Sequence, residues 1–270
     1  MRLRRLKDMR ARNRVVDTGF RLLERDARNA GGVLGGGLAY RLFFWSLALS
    51  VLLFGALGFV PSDSVESGAM QASLDAKVAA TISEAAQQSQ AGRWWLLATG
   101  IALTIWFAWT LLRALRLVSG AAWQVYGGPA LPRPLNVLTI LAVPVVFTLL
   151  SAFTGVTANV LGILSGVVAF VVGVVVMTVL ITLGFRWLPS KPVPLRAHLP
   201  GAIVLALVIQ VLTAVGEFFI ASELADTQAL YGALGLAGTL LFVLYIIGRT
   251  TVWACELNAV SWEVWGPKDD

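Results

Sequence analysis

A helical bundle that crosses a lipid bilayer six times is the fold class this sequence predicts, all-α, and three observations predict it. Hydrophobic residues make up 57% of the 270 and charged residues only 13%, far from the balance of a water-soluble domain. The apolar residues gather into blocks of about 20, the length a helix needs to cross the hydrocarbon core. Basic residues fall almost wholly into alternate connections between those blocks, the asymmetry that orients multi-span proteins.

The elements follow in order. Residues 1–33 are a basic arm in which Leu6, Met9, Val16, Phe20, Leu23 and Ala27 recur at spacings of three, four and seven, one stripe of a helix. It does not read as a signal peptide, because it is densely charged and the apolar run after it is too long. An amphipathic helix of this kind is expected to lie on the cytoplasmic leaflet, drawn by anionic headgroups; nucleic-acid binding is the less favoured use of its charge. Spans are expected at residues 38–60, 94–112, 135–153, 163–185, 201–221 and 234–255, within a transmembrane domain covering 34–260. Residues 61–93 form an extracytoplasmic loop with Met70, Leu74, Val78 and Ile82 four apart, which predicts a short helix there. Residues 261–270 are a short tail.

Orientation comes from counting. Seventeen Lys and Arg flank the spans on the side of the two termini and two, Lys77 and Arg93, on the other. Both termini are therefore expected in the cytoplasm. Pro144 is expected to kink span three, and Gly162, Gly166, Ala169 and Gly173 give span four a small-residue stripe suited to helix contact. Tryptophans 94, 95, 123, 187, 262 and 265 sit where an aromatic belt belongs. A single cysteine, Cys255, excludes an internal disulfide and reads as a packing residue.

Charge inside a span is costly and calls for a partner or a function. Arg41 and Arg249 lie within spans one and six, and Arg113 and Arg116 end span two, all four at similar cytoplasmic depth. Glu256 and Asn258 follow Arg249 by one to three turns, so Glu256 is the expected partner of that guanidinium. One carboxylate does not balance four arginines. Either some snorkel to the headgroups, or the group forms a basic pocket for an anion. Gln210 and Glu217 are the polar residues of span five; interhelical hydrogen bonding is the plain reading, a proton-coupled passage the sharper one. His198 is the sole histidine, and the sequence shows no metal-binding cluster, phosphate loop or nucleophile elbow. Neither a cofactor nor an enzymatic activity is expected.

Several blocks carry a family resemblance. Gly37-Leu38-Ala39-Tyr40 opens span one, Leu199-Pro200-Gly201-Ala202 opens span five, and Leu230-Tyr231-Gly232-Ala233-Leu234-Gly235 precedes span six. Tyr245 and then Glu256-Leu257-Asn258-Ala259 complete the set. In this order and spacing they resemble the YihY/BrkB membrane proteins over nearly the whole chain after the arm. Two positions depart: Ala48 stands where members often have proline, and Gln210 where they often have an acid. The resemblance implies a bacterial inner-membrane protein of six helices with both ends inside and a part in envelope integrity. It does not imply the ribonuclease once attached to the family.

The function expected is therefore non-enzymatic: binding or translocation of an anionic lipid or other amphiphile. Arg41, Arg113, Arg116 and Arg249 would hold the phosphate, supported by Glu256, Asn258, Tyr40 and Tyr245. The alternative is a homo-oligomeric scaffold without cargo, joined through the glycine stripe of span four; a ribonuclease is a remote third.

Overall fold

The computed structural model describes residues 13–60, 84, 87–125, 163–186, 188 and 193–267, with the backbone alone at 91, 163–165, 169, 217–234 and 236. Among these residues there are helices and no strand. We number the α-helices α1 (Arg14–Arg28), α2 (Gly31–Leu57), α3 (Arg93–Trp123), α4 (Ile163–Arg186) and α5 (Leu199–Trp265). Two 3₁₀ turns, Gln90–Gly92 and Leu195–His198, lead into α3 and α5.

α1 is fixed by its own sequence. Asn13 caps it, its side chain accepting from Val15 N at 2.9 Å, and Asp17 stands in the first turn with Arg25 and Arg28 in the last. Asp17 also pairs with Arg21 one turn on, at 2.8 Å. The helix ends at Asn29, and Ala30 takes a left-handed conformation (φ 51°) before α2 begins. Such a backbone costs a β-carbon-bearing residue roughly 1 kcal/mol or more, and here it sets the angle between two helices that touch the same partners.

Local propensity does not explain the long helices. α2 opens with five glycines in seven residues and α4 is crowded with valine, both poor helix formers in water. In hydrocarbon the alternative is an unsatisfied backbone, which costs several kcal/mol per group, so the helix is enforced. Side-chain exposure agrees with a lipid environment: Val167, Val171, Val175 and Val179, each one turn apart, are all more than half exposed.

Five helical segments are long and apolar enough to span: Gly31–Leu57, Arg93–Trp123, Gly166–Arg186, Leu195–Gly216 and Ala237–Trp265. They match the expected spans one, two, four, five and six. The third, expected at 135–153, and most of the 61–93 loop lie outside the described residues. The last two spans are parts of one helical run, α5, yet Gly201 N donates to Asn258 Oδ1 at 2.7 Å. A straight helix would hold those residues about 85 Å apart, so α5 doubles back and its two arms lie antiparallel.

The described residues divide into two compact units. One holds the C-terminal part of α2 and the N-terminal part of α3. Here Phe44 stacks on Phe107 at 5.6 Å and Phe59 meets Trp94 edge-on at 4.8 Å. Partner numbers fall on one helix as they rise on the other, so the pair is antiparallel. A β-carbon on Gly55 would meet Leu97 N at 2.6 Å, and one on Gly100 would meet Leu52 Cα at 2.6 Å. Those two glycines let the backbones close up.

The other unit contains α1, the start of α2, the end of α3, most of α4 and all of α5. Gly248 lies against the carbonyl of Gly35 and the backbone of Ala39, bringing α2 onto the second arm of α5. Gly173 of α4 receives the side chain of Gln210 from the first arm. That glycine of the predicted stripe thus works inside the protein.

Candidate functional site

The second unit gathers the polar residues. α3 ends at Trp123, and Gln124 is left-handed (φ 54°). Val125 N bonds to Gly120 O at 2.9 Å and Gln124 N to Ala121 O at 3.3 Å, a Schellman cap. The cap serves the Gly120 and Ala121 carbonyls and leaves Ala122 O without a donor; α1 supplies one there and a second to Ala121. Arg25 Nη1 donates to Ala122 O at 3.0 Å and Asn29 Nδ2 to Ala121 O at 3.4 Å.

The same two residues reach the second arm of α5. Arg25 Nη2 holds both oxygens of Glu263, at 2.7 and 2.8 Å, and Asn29 Nδ2 donates to Glu256 Oε1 at 3.0 Å. Next along α1, Asp26 receives both terminal nitrogens of Arg249 at 2.5 Å, a forked pair. Arg249 also stands 4.8 Å from the ring centre of Trp253, one turn on. α1 is therefore clamped between the end of α3 and the last span by the polar contacts of Arg25, Asp26 and Asn29.

The expected partner of Arg249 was Glu256; the structure gives it Asp26. Glu256 is 1% exposed, with Oε1 on Asn29 and no partner for Oε2 among the described residues. Asn258, equally buried, ties the two arms of α5 through Gly201 N. His198, 1% exposed, packs its ring against Trp123 at 5.8 Å and Phe185 at 6.4 Å. It is a core residue at the start of α5, and its Nε2 has no hydrogen-bond partner among the described residues.

The remaining predicted residues are dispersed. Arg41 belongs to the first unit, where Nη1 donates to Thr110 O at 2.6 Å. Arg113 is exposed and Arg116 is half-buried. Tyr40 and Tyr245 are exposed. Gln210 is buried against Gly173. The side chain of Glu217 lies outside the described residues. The residues that the structure does unite, Arg25, Asp26, Asn29 and Glu263 among them, came from an arm read as lipid-facing and from the tail end of the last span. The one signal that pointed to them was negative: an arginine within a span requires an anion.

α1 has two further faces. At 100° per residue, Thr18, Arg25 and Leu22 turn inward, with Thr18 and Arg25 buried. Val15 (68% exposed) and Leu23 (60%) form an outward apolar arc, with Val16 and Phe20 half-buried beside it. Arg14, Arg21 and Arg28 make a third, exposed arc. Of the predicted stripe, Leu6 and Met9 lie outside the described residues.

A family model described as virulence factor BrkB matches residues 22–270, from within α1 to the end of the chain. No curated protein and no solved structure matches. With apolar helices long enough to span, doubled-back arms and a match over most of its length, this multi-pass membrane protein belongs to the BrkB virulence-factor family.

Proposed function

We propose that the protein is a non-enzymatic component of the bacterial inner membrane, with six spans and both termini cytoplasmic, and that it binds an anionic lipid or kindred amphiphile at the basic end of its bundle. One observation carries this reading: on α3 an exposed guanidinium stands next to an exposed apolar side chain, and α1 adds an exposed arc of Arg14, Arg21 and Arg28 on the side away from Val15 and Leu23. On α3, exposed Arg113 lies one turn from Leu117, 64% exposed. Phosphate and acyl chain are the two chemistries such a surface matches. Arg41 and Arg249 have a different task on this reading. Their hydrogen bonds go to Thr110 and Asp26, so they hold helices together, and lipid meets the outward arginines.

Native mass spectrometry after exposure to mixed phosphatidylglycerol and phosphatidylcholine tests it. Wild type should retain the anionic lipid preferentially. Arg28→Gln/Arg113→Gln should lose about 1 kcal/mol per charge removed, roughly fivefold each. Equal retention of the two lipids by wild type would sink the proposal.

A further inference from the structure

The geometry points to a specific phospholipid headgroup site outside the four arginines singled out from the sequence: a cleft of about 630 Å³ where Arg196 faces Trp262 and Trp265. This inference rests on the lipid-binding reading and gives it a place.

The cleft lies between the start of the first arm of α5 and the end of the second, and Pro200, Ser261 and Gly266 complete its wall. By position in the chain it stands where two spans meet the membrane boundary. Its volume falls in the range of small-ligand sites. Arg196 is exposed, its guanidinium carbon 5.5 Å from the centre of the Trp262 ring, and it has no ion pair among the described residues. Arg14 stands 5.5 Å from the centre of the Trp265 ring but does not itself line the cleft. A guanidinium lying on a ring keeps its N–H edge free for a forked contact with a phosphate. Among the described residues no carboxylate lines the cleft; Glu263, the acid on the same helix end, is taken by Arg25.

The N-terminus of α5 supplies little beyond its field. Leu199 N already bonds to Arg196 O, Pro200 has no N–H, and Gly201 N is held by Asn258. Anion binding here falls to Arg196 and the Ser261 hydroxyl. A lipid headgroup is the occupant because the surroundings are apolar as well as basic: Leu195 and Leu199 are 41% and 42% exposed beside the cleft, and Trp265 is 55% exposed. A soluble phosphate would gain nothing from them.

Lipid retention under rising collision energy, by native mass spectrometry of the full chain, reads out the site. One phosphatidylglycerol should outlast the annular lipids on wild type. Arg196→Glu should weaken its retention on the order of tenfold, the scale of one charge-assisted forked contact, and Arg196→Lys should restore part. Arg113→Gln should lower the annular count and leave the last lipid in place. If Arg196→Glu keeps that lipid while Arg113→Gln sheds it, the cleft is overturned and the lipid reading stands. If wild type holds phosphatidylcholine as firmly, the underlying reading fails as well. A lipid-free arm with glycerol 1-phosphate separates the sources: Arg196-dependent binding of that anion as tight as of the lipid would assign the cleft to a soluble phosphate and overturn the headgroup.

Discussion

A guanidinium in a membrane span is tolerated only when something answers its charge, and for Arg249 that something is Asp26. The two side chains are 20% and 15% exposed, so solvent screens them only in part. Breaking a fully buried pair costs about 3–5 kcal/mol, mostly from the charge left behind; with this exposure we expect roughly 2–3 kcal/mol for Asp26→Asn. Exchanging the two residues, Asp26→Arg with Arg249→Asp, should recover part of that loss. Thermal unfolding in nanodiscs of the two single variants and the exchange measures the coupling, and an additive result would show that the pair contributes nothing of its own. That Arg249 needed an anion was legible in the sequence; which anion was not. Glu256 is about two helix turns away and Asp26 is 223 residues away. Sequence distance favoured the wrong carboxylate because the two helices that bring Asp26 close have no local signature of their meeting.

At the scale of elements, α1 is less an arm than a plug. Its inward face holds Thr18, Leu22 and Arg25, with Asp26 beside them on Arg249, rather than the apolar stripe. Among the described residues Val16, Phe20, Leu23 and Ala27 share one side of α1, but hydrophobicity alone does not tell a face that seeks lipid from one that seeks the core. In a protein whose spans already expose valine to the bilayer, burial goes to the polar groups that lipid cannot satisfy. Arg25 is the hinge of this arrangement, since it serves the end of α3 and Glu263 together. Arg25→Ala should release α1 by about 1–2 kcal/mol, which makes its open form roughly tenfold more populated. Chymotryptic cleavage at Phe20 and Leu23, followed in the folded protein, should accelerate accordingly. Arg21→Ala, whose partner Asp17 lies on α1 itself, should leave the cleavage rate unchanged; similar acceleration by both variants would mean that Arg25 acts only through helix propensity.

For the whole molecule the six-span reading proposed above carries a parity that the contacts fit. Arg14 lies over Trp265, so the start of α1 and the end of α5 share one face of the membrane. Trp123 and Phe185, ending α3 and α4, both touch His198 at the start of α5, and Asn29 touches Ala121. The ends of α1, α3, α4 and the first turn of α5 therefore belong to that face too. α2, at 27 residues, is about 40 Å long and crosses to the other side. A chain that leaves and returns to one face crosses an even number of times, while the described spans number five. On the six-span reading proposed above, the apolar run at 135–153 would be the remaining crossing, between α3 and α4. Cysteine labelling in intact cells checks this directly, because the sole native thiol, Cys255, is buried and gives no background. Asn13→Cys, Gln124→Cys and Gly266→Cys should react only once the membrane is permeabilised, and Gln90→Cys and Gly162→Cys should react from outside. Labelling of positions 124 and 162 from the same side would remove the sixth crossing, and the positive-inside orientation of the whole bundle with it.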